Sequence, residues 1–118
     1  MQTSTLSLLV AMALTFTTKP HGQLTDETLA ARISQGDVSA LETLYERYAP
    51  IVMGITLKVT GDRALAEDTL QETFWQVWKN AAAYQPESGP FTGWLFRMAR
   101  QIALHASRNR VSEKVSKN

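Results

Sequence analysis

The chain has 118 residues and a mass of 13.1 kDa, room for one ordinary domain of about 100 to 200 residues, which excludes a second independent core. Hydrophobic residues at 44% and charged residues at 19% exclude wholesale disorder and a multi-span membrane protein, while zero cysteines exclude a disulfide framework, a thiol nucleophile and thiolate zinc sites. The net charge of +1 conceals two blocks: residues 26–87 hold ten acids against five bases, and residues 97–118 hold six bases against Glu113 alone, so that an acidic body precedes a basic segment suited to a polyanion.

Residues 1–24 are expected to form an N-terminal extension. Their apolar run from Leu6 to Phe16 has no Lys or Arg ahead of it, no small-x-small cleavage site behind it, and only about half the ~20 residues that cross a bilayer. It therefore reads as neither an export signal nor a membrane anchor, and Pro20, His21 and Gly22 read as linker. The domain itself is assigned to residues 25–112, followed by a basic tail over 113–118.

From Thr25 onward no alternating β-branched pattern occurs, and the expected fold is all-α, a compact bundle of about four helices. The first helix takes Thr25 or Asp26 as its cap, places Leu29 and Ile33 one turn apart on a buried face, and exits through Gly36. The second opens with Ser39 and Glu42 in the spacing of a reciprocal capping box. Its apolar residues Leu41, Leu44, Tyr45, Tyr48, Val52, Ile55 and Val59 keep helical spacing up to Gly61, with a kink or break expected near Ala49 because Pro50 removes a backbone donor.

Asp62 caps the third helix, with Ala66, Leu70, Thr73, Phe74, Val77 and Trp78 directed inward. Glu67, Asp68, Gln71, Glu72, Trp75, Gln76 and Lys79 face outward. Asn80 to Pro90 reads as a loop, interrupted by Pro86, Gly89 and Pro90, with Tyr84 exposed. The last helix starts near Phe91 or Thr92 and buries Trp94, Leu95, Met98, Ile102 and Ala103, while Arg97, Arg100, Gln101, Leu104, His105 and Arg108 occupy its other face.

Two surfaces carry chemistry. On the last helix, arginines 97, 100 and 108 suit phosphate oxygens, Gln101 suits a base edge, and Arg110 and Lys114 extend the charge. Tyr84, Phe91 and Trp94 lie just upstream, and aromatic rings interleaved with bases suit unstacked nucleobases. On the third helix, Glu67, Asp68, Gln71 and Glu72, with Trp75 as an apolar anchor, suit a basic or amide-rich partner helix. No histidine–carboxylate–nucleophile set and no phosphate-cradling glycine loop occurs, and His21 and His105 alone do not make a metal cluster, so neither an enzyme nor a cofactor or metal is expected.

Several motifs in order give a more specific likeness. Leu44-Tyr45, Tyr48-Ala49-Pro50, Gly61-Asp62, Ala66-Glu67-Asp68, Gln71-Glu72-Thr73-Phe74, Trp78, Phe91, Gly93-Trp94-Leu95 and Ala99-Arg100 closely resemble region two of bacterial sigma factors of the ECF (extracytoplasmic function) group, over roughly Asp26 to Arg110. The resemblance implies a cytoplasmic transcription initiation factor whose third helix docks on the clamp helices of the largest catalytic subunit of core RNA polymerase. It assigns that contact to Asp68, Gln71 and Glu72, with Glu67. It also implies that the loop and last helix capture a base flipped from the non-template strand of the promoter minus-ten element, through Asn80, Tyr84, Trp94, Arg97, Arg100, Gln101, His105 and Arg108.

The chain departs from the group's A-R-N-x-x-x-D pattern, with Gln101 and His105 at the last two marked positions. Such factors also carry a second helical domain, region four, which has no counterpart before Asn118. The chain thus reads as a fragment, a truncated product, or a factor with half the usual promoter contacts. The alternative function is a helical protein-interaction module without initiation activity, a decoy for an anti-sigma factor. A stand-alone duplex DNA binder would need a helix-turn-helix, which the long aromatic loop argues against.

Overall fold

The computed structural model describes residues 24–117, with side chains described through 113. The expectations for residues 1–23 and for the side chains of Lys114 and Lys117 lie outside the described residues. Four α-helices follow one another: α1 (Asp26–Ser34), α2 (Val38–Thr60), α3 (Arg63–Asn80) and α4 (Phe91–Lys117), with short 3-10 turns at Ala81–Ala83 and Pro86–Ser88 between the last two. No strand occurs among the described residues, in keeping with the all-α expectation.

Local chemistry sets the helix ends. The Thr25 hydroxyl accepts from the Thr28 amide at 3.1 Å, and α1 exits through Gly36 at φ +88°, a conformation that side chains resist. The start of α2 differs from expectation. Asp37, two residues before Ser39, is the cap: its carboxylate accepts from the Ala40 amide at 3.2 Å and from the Ser39 hydroxyl at 2.7 Å. Glu42 is fully buried. Gly61, at φ +67°, ends α2 by donating its amide to the Leu57 carbonyl at 2.8 Å, and Asp62 at once caps α3 by accepting from the Leu65 amide at 2.9 Å.

Of the kink or break expected near Ala49, the break does not occur, since α2 is helical from Val38 to Thr60 with Pro50 inside it. Pro50 has no amide to donate to the carbonyl of Glu46 one turn earlier. Both Pro50 and Glu46 are exposed, while Val52 two residues on is fully buried in the core. Packing on the inner face outweighs one lost bond on the outer face.

The core joins all four helices: Leu29 and Ile33 of α1, Leu41, Leu44 and Val52 of α2, Leu70, Phe74 and Val77 of α3, and Phe91, Leu95 and Ala99 of α4. Tyr45 meets Phe74 edge-on at 5.0 Å, and Tyr48 meets Phe96 at 5.9 Å. Threonines fill the polar gaps. The buried Thr56 hydroxyl of α2 lies 3.0 Å from the Ala66 carbonyl of α3, and Thr73 donates to the Thr69 carbonyl at 2.7 Å. Buried hydroxyls are tolerated when they donate to carbonyls in this way. Trp78, Trp94, Met98 and Ile102, expected inside, are half-buried, whereas Thr69 and Ala99 are buried.

A carboxylate of α1 ties it to α2. Asp26 accepts from Arg47 at 2.7 Å and from the Tyr48 hydroxyl, and burial together with that carboxylate pushes the Tyr48 phenol up to about 12. At the opposite end Arg110 of α4 pairs with Asp62, pinning the last helix to the α2–α3 junction. The Leu65 amide and the Arg110 guanidinium hold the Asp62 carboxyl below its ordinary value.

Candidate nucleic-acid and polymerase interfaces

Between the 3-10 turns and the first turns of α4 lies a cavity of about 280 Å³, lined among others by Tyr84, Gln85, Ser88, Pro90, Trp94 and Arg97. Three rings stand behind and beside it in a triangle: Tyr84 to Phe91 at 5.5 Å, Tyr84 to Trp94 at 5.6 Å, and Phe91 to Trp94 at 5.5 Å. Tyr84 is not exposed, as the loop position implied, but 8% exposed. Its hydroxyl donates to the Gly89 carbonyl at 2.7 Å, across the loop it precedes. Burial and the nearby Glu27 carboxylate raise its phenol above the ordinary value. Tyr84 is thus a wall of the cavity, and Trp94 is the half-exposed ring at its edge.

Arg97 belongs both to this cavity and to an exposed row that continues along α4. At 3.6 residues per turn, Arg97, Arg100, Gln101, His105 and Arg108 fall within an arc of about 140°, and all five are exposed. Among the described residues, none of the three arginines takes part in an ion pair, whereas Arg47, Arg63 and Arg110 each do. Arg110, expected to extend the row, points away from it to Asp62. His105 lies 3.2 Å from the Asn109 amide through Nε2.

The acidic surface occupies α3. Glu67, Asp68 and Glu72 are exposed, Gln71 and Trp75 half-buried, and the five share an arc of about 140°. Their polar groups are ordered along the helix: Arg63 pairs with Glu67 at 3.1 Å, Gln76 donates to Glu72 at 2.7 Å, and Asn80 donates to Gln76 at 2.7 Å. The Lys79 ammonium lies 5.3 Å from the centre of the Trp75 ring. Asn80, grouped by sequence with the nucleic-acid face, ends this amide–carboxylate chain and does not line the cavity.

One residue that touches the loop around the cavity, without lining it, was missed by sequence reasoning. Glu27 of α1 reaches the start of α4, where its Oε2 accepts from the Phe91 amide at 3.3 Å. The same oxygen lies 3.4 Å from the Tyr84 hydroxyl. A contact across 64 positions leaves no mark in local spacing. Among the described residues no cluster of three or more candidate metal ligands occurs, and no helix is long and apolar enough to cross a membrane.

The described residues thus form an all-helical bundle with a carboxylate-and-amide face on one helix and a ring-lined cavity opening onto an arginine row on another. The chain belongs to the Sigma-70 region 2 family, which it matches over residues 44–113. It is similar to the ECF RNA polymerase sigma factor SigK of Mycobacterium sp. (strain KMS), 31% identical over 83 residues that make up 70% of this chain and 43% of the relative. It is also similar to the ECF RNA polymerase sigma factor SigL of Mycobacterium tuberculosis (strain ATCC 25618 / H37Rv), 30% identical over 82 residues, 67% of this chain and 46% of the relative. The chain thus spans less than half the length of the curated relatives it matches. No solved structure matches it.

Proposed function

We propose that residues 25–112 act as region two of a sigma-type transcription initiation factor in the cytoplasm, binding core RNA polymerase and promoter DNA. In this reading the α3 face, through Glu67, Asp68, Gln71, Glu72 and Trp75, docks on the clamp helices of the largest catalytic subunit. The cavity takes one base flipped from the non-template strand of the minus-ten element. Arg97, Arg100 and Arg108 hold the phosphates of the opened strand, with Gln101 and His105 beside it. The sigma factors to which the chain is similar are initiation factors, not enzymes, and the reading needs no cofactor.

The observation that carries this reading is that Arg97 belongs at once to the cavity and to the row of exposed arginines. A strand whose backbone follows α4 can deliver a base into the cavity without turning away from the charge. Unpairing a base costs a few kcal/mol, which ring contact at about 1 to 3 kcal/mol per base and the phosphate contacts offset. The melted state is then held without enzymatic chemistry. Tyr84 contributes as a buried wall, and Trp94 offers the accessible ring.

The test is co-purification of the chain with core RNA polymerase, followed by transcription from candidate promoters. Binding and promoter-dependent initiation support the reading, and failure to bind the polymerase refutes it. Polymerase binding without initiation favours the alternative, an interaction module that competes for the polymerase or occupies an anti-sigma factor.

A further inference from the structure

We propose that Glu27 is a positioning residue for the base-sized cavity, clamping both ends of the loop that forms it; this inference rests on the reading of the cavity given above. Glu27 lies outside the residues matched by the family, 44–113. Its single oxygen Oε2 touches the residues on either side of the loop: the Phe91 amide at 3.3 Å and the Tyr84 hydroxyl at 3.4 Å.

Between these two anchor points the loop holds itself only by short-range bonds, the Ser88 amide donating to the Gln85 carbonyl at 2.9 Å and the Gly89 amide to the Pro86 carbonyl at 3.2 Å. Pro86 and Pro90 lack amide donors, and Gly89 sits at φ +138°, a conformation that side chains rarely adopt. The Tyr84 hydroxyl closes the loop on the Gly89 carbonyl at 2.7 Å, and Tyr84, Gly89 and Pro90 all line the cavity. Phe91 opens α4, whose next turns supply Trp94 and Arg97 to the same cavity. A carboxylate at this point complements the Phe91 amide, one of the donors that a helix start leaves unserved. It also fixes where the Tyr84 ring stands relative to Trp94, which sets the width of the slot between loop and helix. The arginine row is untouched by Glu27, so the phosphate-dependent part of binding is independent of it.

The test uses the full chain and a set of labelled single DNA strands of one minus-ten-like sequence, each with one abasic position moved along it. For the parent, one position should cost about fivefold or more in affinity when its base is removed, the loss expected for one stacked base. In Glu27→Ala that penalty should fall to near unity, while the strand abasic at that position binds parent and variant alike, with equal salt dependence. Glu27→Gln, which keeps an acceptor oxygen, should retain most of the penalty. Tyr84→Phe, which keeps the ring triangle but removes the hydroxyl, should reduce it and serves as the second variant if Glu27→Ala does not fold.

A full penalty in Glu27→Ala, or in Tyr84→Phe should that variant alone fold, overturns the inference and leaves the cavity reading intact. Equal weakening of intact and abasic strands assigns Glu27 a general stabilising role and also overturns it. Absence of a penalty at every position in the parent refutes the cavity reading, and the inference with it.

Discussion

Replacing Arg97, Arg100 and Arg108 by glutamine keeps a polar side chain of good helix propensity but removes three charges that form no ion pair among the described residues. If each guanidinium meets one phosphate, the three contribute about −2.1 to the slope of log affinity against log salt, at roughly −0.7 per contact on a single strand. That part of the slope amounts to roughly an 18-fold loss of affinity between about 50 and 200 mM salt. The triple variant should lack it. Arg110→Gln is the control, because this arginine is held by Asp62 on the opposite side of α4; it should lower stability and leave the slope unchanged. Fluorescence anisotropy with a labelled single strand across a salt series measures both. Parallel lines for parent and triple variant, or a flattening by Arg110→Gln as large as that from one of the row arginines, would refute the assignment of this face.

Three further outcomes follow from the same structure. Gln71→Ala combined with Glu72→Lys should weaken co-purification with core polymerase while circular dichroism stays unchanged, since neither side chain belongs to the core; undiminished recovery would count against α3 as the docking face. Phe74→Ala should cost about 3 to 5 kcal/mol in urea unfolding, because the ring is fully buried and meets Tyr45 at 5.0 Å; a loss below about 1 kcal/mol would deny it a central place in the core. The Asp62 carboxyl is held below its ordinary value by the Leu65 amide and Arg110, so its contribution is complete above about pH 3.9, the ordinary aspartate value, and is lost as pH falls through the lower folded value. The acid limb of the unfolding midpoint should therefore be steeper for the parent than for Asp62→Asn, and identical limbs would contradict the linkage.

Some features of this protein were legible in the residues because the forces behind them act within a few positions. Caps and exits are of this kind: Thr25, Gly36, Gly61 and Asp62 do what their side chains, or lack of one, imply for their own backbone. The helical spacing of Leu70, Phe74 and Val77, and the exposure of Arg97, Arg100 and Arg108 on the reverse of Leu95 and Ala99, follow from 3.6 residues per turn. Even here a nearer competitor prevailed once, when Asp37 took the cap that Ser39 was expected to supply.

Tertiary structure alone decided which residues meet. Pro50 is tolerated because the face that loses its bond is exposed while the opposite face is buried, a balance that depends on three other helices. Tyr84 is polar and follows three alanines, yet the rings of Phe91 and Trp94 and the carbonyl of Gly89 enclose it. Arg110 leaves the basic row for Asp62, 48 positions away, and Glu27 reaches Phe91 across 64. Local pattern specifies the conformation of a segment; the surface that segment presents is chosen by the burial and charge of segments distant in the chain, and those the bundle brings together only when it closes.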